Sequence, residues 1–375
     1  MGQLFVDETD PTKLVVNPNS WTNISSMLFI EAPACVGYSY ADTIEGCSHN
    51  DSSQAIDNAA AIRVFFKGFP ELAGQDFYAS GESYAGIYVP TTAKAIYEGN
   101  VAGELPLISL KGIAVGNGCY GLSAGLCSFT NAVEIETNVP YYYGHGLTSP
   151  TTFAQFQADC TDVNNPSAAC LADIQQAHDE VGNVNIYNIY GDCIVGSPHE
   201  GNGRFDKQTQ TQVYSRIPVP IRKLGGPIEC IDETISKYLS TSVVAQALNV
   251  IDTLNWKVCG SNSSFDYTRT EADERVDVYP TLINDAKIRV LIYNGEADAC
   301  VPWLDNEFLA RSMNYPIVSP WQSWESLSQV AGYTIKYGSN LTFATIKGAG
   351  HMAPEYKPTQ SWTLISKFLN NQDLV

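Results

Sequence analysis

Residues Asp76–Gly86, DFYASGESYAG, confine this chain to a narrow set of folds. A short strand-like run, Phe77-Tyr78-Ala79, enters Gly81-Glu82-Ser83-Tyr84-Ala85-Gly86, and a helix-like segment from Ile87 to Glu98 leaves it. Strand, tight turn and helix in that order make the elbow in which G-x-S-x-G lifts a serine hydroxyl clear of a sheet edge. The flanking glycines belong there because so tight a turn leaves no room for a Cβ. The strict spelling G-x-S-x-G, which the Ser83 segment misses by one position because Ala85 precedes Gly86, occurs at Gly121-Leu122-Ser123-Ala124-Gly125, between Cys119 and Cys127, where no apolar-periodic helix follows. It reads as a Gly/Ser-rich loop closed by a disulfide. Ser83 is the candidate nucleophile.

The last third of the chain supplies candidate partners. Ile288–Tyr293 is a largely apolar strand followed by Asn294-Gly295-Glu296-Ala297-Asp298. Leu341–Ile346 is another, followed by Lys347-Gly348-Ala349-Gly350-His351-Met352. Both place a functional side chain on a glycine-containing loop after a buried strand, the edge where α/β sheets gather their sites. The order Ser83, Asp298, His351 is that of an α/β-hydrolase triad. His351 would take the proton from Ser83 Oγ, and Asp298 would fix the His351 tautomer. Glu296 is a rival carboxylate. His49, His145, His178 and His199 do not follow a C-terminal strand and read as surface or cap histidines.

Charge narrows the function classes. The formal net charge is −19 with 21 basic residues, and no basic cluster exceeds two in a row, which argues against phosphate-tracking nucleic-acid binding. No apolar run approaches the ~18 residues of a membrane span, and MGQLFVDETD carries no apolar signal-peptide core. Ten cysteines and four N-x-S/T sequons, at Asn23, Asn50, Asn262 and Asn340, point to the secretory route. Cys160 and Cys170 are close enough in sequence to pair, as are Cys119 and Cys127. No His/Cys cluster has zinc spacing, so neither metal nor cofactor is expected.

Several blocks together resemble the serine carboxypeptidase family. In order they are Asn17-Pro18 with Ser20-Trp21, FIEAPACVGYSY (Phe29–Tyr40), GESYAGIYVP (Gly81–Pro90), LKGIAVGNG (Leu110–Gly118), NIYNIYGDC (Asn185–Cys193), YNGEADACVPW (Tyr293–Trp303) and IKGAGHMAPEYKP (Ile346–Pro358). The resemblance implies an α/β-hydrolase fold with a central, mostly parallel sheet and an inserted, disulfide-containing cap. Residues 1–117 and 235–375 would form the core and 118–234 the cap. It implies release of single C-terminal amino acids from peptides at acid pH through an acyl-enzyme, in a lysosome or vacuole or outside the cell. Tyr84 would give a backbone N–H to the oxyanion hole. Glu82, protonated, would bind the substrate carboxylate, and Met352 would border the leaving group. Cys300 would line the site or serve as ordinary packing. Cys193 and Cys230 match positions bridged in the family, and Cys259 matches one whose partner has no counterpart here.

That counterpart belongs to a strand and an N-G-G-P-G-C-S-S loop which family members carry before the region resembling Leu4-Phe5. The sequence contains no such loop, so it reads as a fragment with one oxyanion donor missing. Otherwise the strands matching Met27–Glu31 and Phe77–Ser80 must pair directly. Two other functions stay open: an acyltransferase on the same triad, or a catalytically impaired protein acting as a stabilising partner. The partners are peptide or protein C-termini, and a homodimer is compatible with the sequence.

Overall fold

A computed structural model describes the chain apart from residues 8–12, 122–126, 128–130, 192–202, 207–210, 215–232, 252–255, 259–265 and 272. Six strands form the main sheet: β1 (Phe77–Glu82), β2 (Leu110–Gly116), β3 (Arg289–Gly295), β4 (Ile317–Ser326), β5 (Gln329–Tyr337) and β6 (Leu341–Ile346). Their spatial order is β4-β5-β6-β3-β2-β1. β6, β3, β2 and β1 are parallel neighbours, and the β4–β5 hairpin adds to β6 antiparallel. Central parallel strands are covered on both faces, which is why β2 and β3 carry unbroken apolar runs. Alternate residues point to opposite faces. Ile113, Val115, Val290 and Ile292 enter one core cluster, while Ala114, Leu291 and Tyr293 enter the other.

Two helices flank the elbow, α1 (Asp51–Gly68) and α2 (Ala85–Val101). The apolar spacing Ile56, Ala60, Val64, Phe65 predicts a helix over Ser52–Phe69. The helix is there, but Ile56 is 64% and Val64 65% exposed. The inward face is Ala55, Ala59, Ile62 and Phe66, together with buried Asp51, Gln54 and Arg63. A polar side chain can sit inside when its hydrogen bonds are met, and Arg63 donates to the carbonyls of Ile96, Glu104 and Pro106 at 2.8–3.1 Å.

Asn50 caps α1 through a reciprocal box, its Oδ1 accepting the Ser53 N–H at 2.8 Å and its own N–H donating to Ser53 Oγ at 2.9 Å. An Asn50→Ala variant should lose about 1 kcal/mol of stability in urea unfolding. A glycan on Asn50 would have to share that amide. Of the other sequons, Asn23 is exposed, Asn340 is half-buried, and Asn262 lies outside the described residues.

Met27–Glu31 is not a strand and does not pair with β1. β1 is the last strand of the described sheet, and Leu28, Phe29 and Ile30 are 39–62% exposed. A strand persists only where its backbone groups find a ladder partner, and no strand among the described residues pairs with this segment. The described part of 118–234, whose tyrosine- and glycine-rich sequence shows a less regular pattern than the core, contains the helices Val139–Gly144, Pro150–Asp159 and Ala168–Val181. They bury Val139, Phe156, Cys170 and Ile174 in a cluster of their own, clipped by a Cys160–Cys170 disulfide. Ser149 and Ser167 cap two of them, a start signal that the glycine and tyrosine content obscured.

Candidate active site

The parallel register brings four strand ends into line. Glu82 of β1 lies opposite Gly116 of β2, Gly116 opposite Tyr293 of β3, and Gly295 of β3 opposite Ile346 of β6. Ser83, Asn117, Asp298 and His351 follow those ends on one edge of the sheet.

Ser83 has φ +63°, a left-handed conformation that costs a non-glycine residue about 1 kcal/mol or more. Packing imposes it. The Ser83 N–H donates to the Gly116 carbonyl at 3.0 Å, and the Ser83 carbonyl accepts from Gly86 and Cys119 at 2.9 Å each. A Cβ on Gly86 would stand 2.0 Å from the Cys119 carbonyl oxygen, so the elbow closes only over glycine. Tyr84 precedes α2, and N–H groups at a helix start lack intrahelical acceptors. Cys119 is bonded to Cys127, which ties down the loop against which the elbow rests.

His351 Nδ1 lies 2.7 Å from Asp298 Oδ2, and both residues are buried. Burial disfavours charge on His351, but Asp298, its hydrogen bond and Glu82 outweigh it, so the imidazole pKa is raised. Glu296 is engaged elsewhere, accepting the Gly348 N–H at 3.1 Å. No hydrogen bond joins Ser83 Oγ to His351 here. Such contacts commonly tighten only once substrate is bound.

Asp298 is over-determined. Besides His351 it accepts the Cys300 N–H at 2.8 Å, the Val301 N–H at 3.1 Å and Asn117 Nδ2 at 2.8 Å. Asn117, buried at the end of β2, also takes the Gly295 N–H on its Oδ1 at 2.8 Å. The sequence offered Asn117 only as part of GNG; its signal is its place after a parallel strand next to that of Asp298. Hydrogen bonds to charged groups are worth about 1.5–3 kcal/mol. Asn117→Ala should therefore lower kcat by about ten- to a hundredfold with KM little changed, as measured on a blocked dipeptide.

Residues 186–189 form a strap across both loops. The Ile186 carbonyl accepts from Ala299 and Cys300 at 2.8 and 2.9 Å, and the Tyr187 carbonyl accepts the His351 N–H at 2.7 Å. The Tyr187 ring meets the imidazole edge-on at 5.3 Å.

Glu82 keeps part of its surface in solvent while its carboxyl is deep among protein atoms. Burial pushes its pKa up to about 7; His351 opposes this, and Asp298 and Glu355 add to it. Cys300 is a free thiol raised by burial and by Asp298. Asp298, Cys300 and His351 have donor atoms within 4.8 Å of one another, the one such group among the described residues that could hold a metal ion. His351 Nδ1 could bind an ion only by giving up Asp298. Met352 is half-buried beside His351, at the start of the short helix Ala353–Tyr356.

The rival histidines are placed differently. His49 is buried rather than superficial, with Nε2 3.2 Å from the Ala34 carbonyl. His145 bonds the Tyr141 carbonyl, His178 pairs with Glu134 at 2.8 Å, and His199 lies outside the described residues. So do Cys193, Cys230 and Cys259. A further disulfide, Cys35–Cys47, had no sequence expectation.

The family described as serine carboxypeptidase matches residues 1–371. The chain belongs to the serine carboxypeptidase family. Among relatives it is 32% identical to the lysosomal protective protein of Mus musculus, over 98% of this chain and 80% of the relative. It is 31% identical to serine carboxypeptidase-like 21 of Arabidopsis thaliana, over 96% of this chain and 78% of the relative. Serine carboxypeptidase 1 of Hordeum vulgare is 29% identical, over 96% and 77%. Kex1, a prohormone-processing carboxypeptidase of Saccharomyces cerevisiae, superposes with TM-score 0.72 at 19% identity, covering 99% of this chain and 78% of Kex1. The sheet order and this likeness make the fold that of an α/β hydrolase. As a serine carboxypeptidase by family, the protein is a hydrolase acting on peptide bonds. No helix among the described residues is long and apolar enough to cross a membrane.

Proposed function

We propose that this serine carboxypeptidase releases C-terminal amino acids one at a time from peptides at acid pH, through an acyl-enzyme on Ser83. The observation that carries this is the buried Asp298–His351 pair on the same sheet edge as the strained Ser83 elbow. Ser83 Oγ attacks the last peptide carbonyl while His351 Nε2 takes its proton. The tetrahedral oxyanion is met by the Tyr84 N–H, and His351 then passes the proton to the departing amino acid. Water, deprotonated by His351, hydrolyses the ester. Asp298 holds the imidazole so that Nε2 is the exchanging nitrogen.

Glu82 donates a hydrogen bond to the substrate's terminal carboxylate, with Met352 and Cys300 beside the leaving residue. Only the protonated acid can donate. With a pKa of about 7, Glu82 is competent below that pH and repels the substrate above it. KM for peptides should therefore rise as pH passes about 7, and Glu82→Gln should flatten the rise. An unchanged inflection in that variant would remove Glu82 from carboxylate binding. We also place residues 118–234 as a cap over the site. The disulfides and the likeness to a lysosomal protein favour a lysosomal, vacuolar or secreted protein.

Mass spectrometry of two peptides, identical except that one is C-terminally amidated, tests the assignment. A ladder of single-residue losses from the free acid alone supports it. Internal cleavage, or loss of the acyl group to an added alcohol without hydrolysis, would replace it with an endopeptidase or a transferase.

A further inference from the structure

Asp51, the first residue of α1, is fully buried and lies outside the triad. Its Oδ1 accepts the hydroxyls of Tyr84 at 2.8 Å and Tyr267 at 2.7 Å. Its Oδ2 accepts the backbone N–H groups of Thr270 at 2.5 Å and Glu271 at 2.7 Å. Four donors on one carboxylate at the positive end of an 18-residue helix leave it a single orientation. Tyr84 is held as tightly. Its ring meets Tyr88 and Tyr267 edge-on at 4.9 and 5.9 Å, and the Arg269 guanidinium lies 5.0 Å over its face. Burial, and then the bond to Asp51, raise the pKa of the Tyr84 hydroxyl, so it stays protonated and keeps donating.

Tyr84 follows the nucleophile directly, so its side chain and the N–H offered to the oxyanion hang from one residue. We infer that Asp51 is a positioning residue for acyl transfer, gripping the Tyr84 hydroxyl and so aiming the Tyr84 N–H at the oxyanion that forms on attack by Ser83. This rests on Ser83 being the nucleophile. The benefit falls on the transition state, because the oxyanion exists only there. Tyr267 shares the carboxylate but is distant in sequence from Ser83. A merely structural role for Asp51 would make the two hydroxyls equivalent; a positioning role makes them unequal.

The test measures inactivation of the full chain by diisopropyl fluorophosphate, with the maximal rate constant separated from the inhibitor's binding constant and the adduct mapped. Tyr84→Phe keeps the ring and should lower the maximal rate constant about tenfold with binding unchanged. Tyr267→Phe should stay within about threefold of the parent. Asp51→Ala should match Tyr84→Phe, and the double variant should fall no further, because both changes cut one link. Asp51→Ala strands four donors, so if it fails to fold the tyrosine pair decides alone. Equal rate constants for the parent and a folded Tyr84→Phe, or equal losses from the two tyrosine variants, overturn the inference while Ser83 remains labelled. A parent chain unlabelled at Ser83 overturns the proposed function, and this inference with it.

Discussion

His351→Ala lowers kcat by roughly 10⁴- to 10⁶-fold while the fold survives. In the proposed mechanism His351 moves the proton to and from Ser83, and no second base is assigned to that step. Glu82 is adjacent but, with a pKa of about 7, is largely protonated in acid. Glu296 is held by Gly348. Asp298→Asn should cost about 10⁴-fold, because an amide at that position favours the wrong imidazole tautomer. Combining His351→Ala with Ser83→Ala should cost little more than either alone, since the residues act as a unit. Steady-state rates on a blocked dipeptide, with circular dichroism to confirm folding, check all three. A His351→Ala chain within tenfold of the parent would be incompatible with the mechanism.

Folding stability should fall as pH rises from about 4.5 to about 8. Glu274 is fully buried, neither of its carboxyl oxygens has a hydrogen-bond partner, and the neighbouring Tyr279 hydroxyl is likewise unpartnered. Burial pushes the Glu274 pKa up to about 8, and the charges of Glu271, Asp273 and Asp51 add to the shift. The folded form therefore binds a proton that the unfolded chain, with a pKa of 4.5, releases. That contribution is complete below the unfolded pKa and is lost as pH rises through the folded one. At about 1.4 kcal/mol per unit the loss is roughly 5 kcal/mol between the two limits. Glu82 adds to the slope in the same direction. Urea unfolding of the parent and of Glu274→Gln across this range measures it. The parent should weaken steadily with pH and the variant much less. A parent that gains stability toward pH 8 would show that the carboxyl is solvated.

The elbow was legible because Gly81, Ser83 and Gly86 meet a steric demand that few residues satisfy. Asp298 and His351 were legible because strand, glycine and functional group recur in a fixed order after β3 and β6. Local signals of this kind survive in one dimension. The inward face of α1 was not legible, because burying Arg63 and Asp51 depends on carbonyls and hydroxyls brought in from residues 84–106 and 267–271. Asn117 was quoted within a motif, but its bond to Asp298 spans 181 residues and follows only from the register of β2 beside β3. Met27–Glu31 matches a family strand in sequence only, and no strand among the described residues gives it a ladder partner.

The most direct measurement is to quench the protein in acid during turnover of a slow ester substrate and map the covalent adduct by mass spectrometry. The acyl group is predicted on Ser83 and is predicted to vanish in Ser83→Ala. An adduct on another residue, or turnover that persists in Ser83→Ala, would contradict the account.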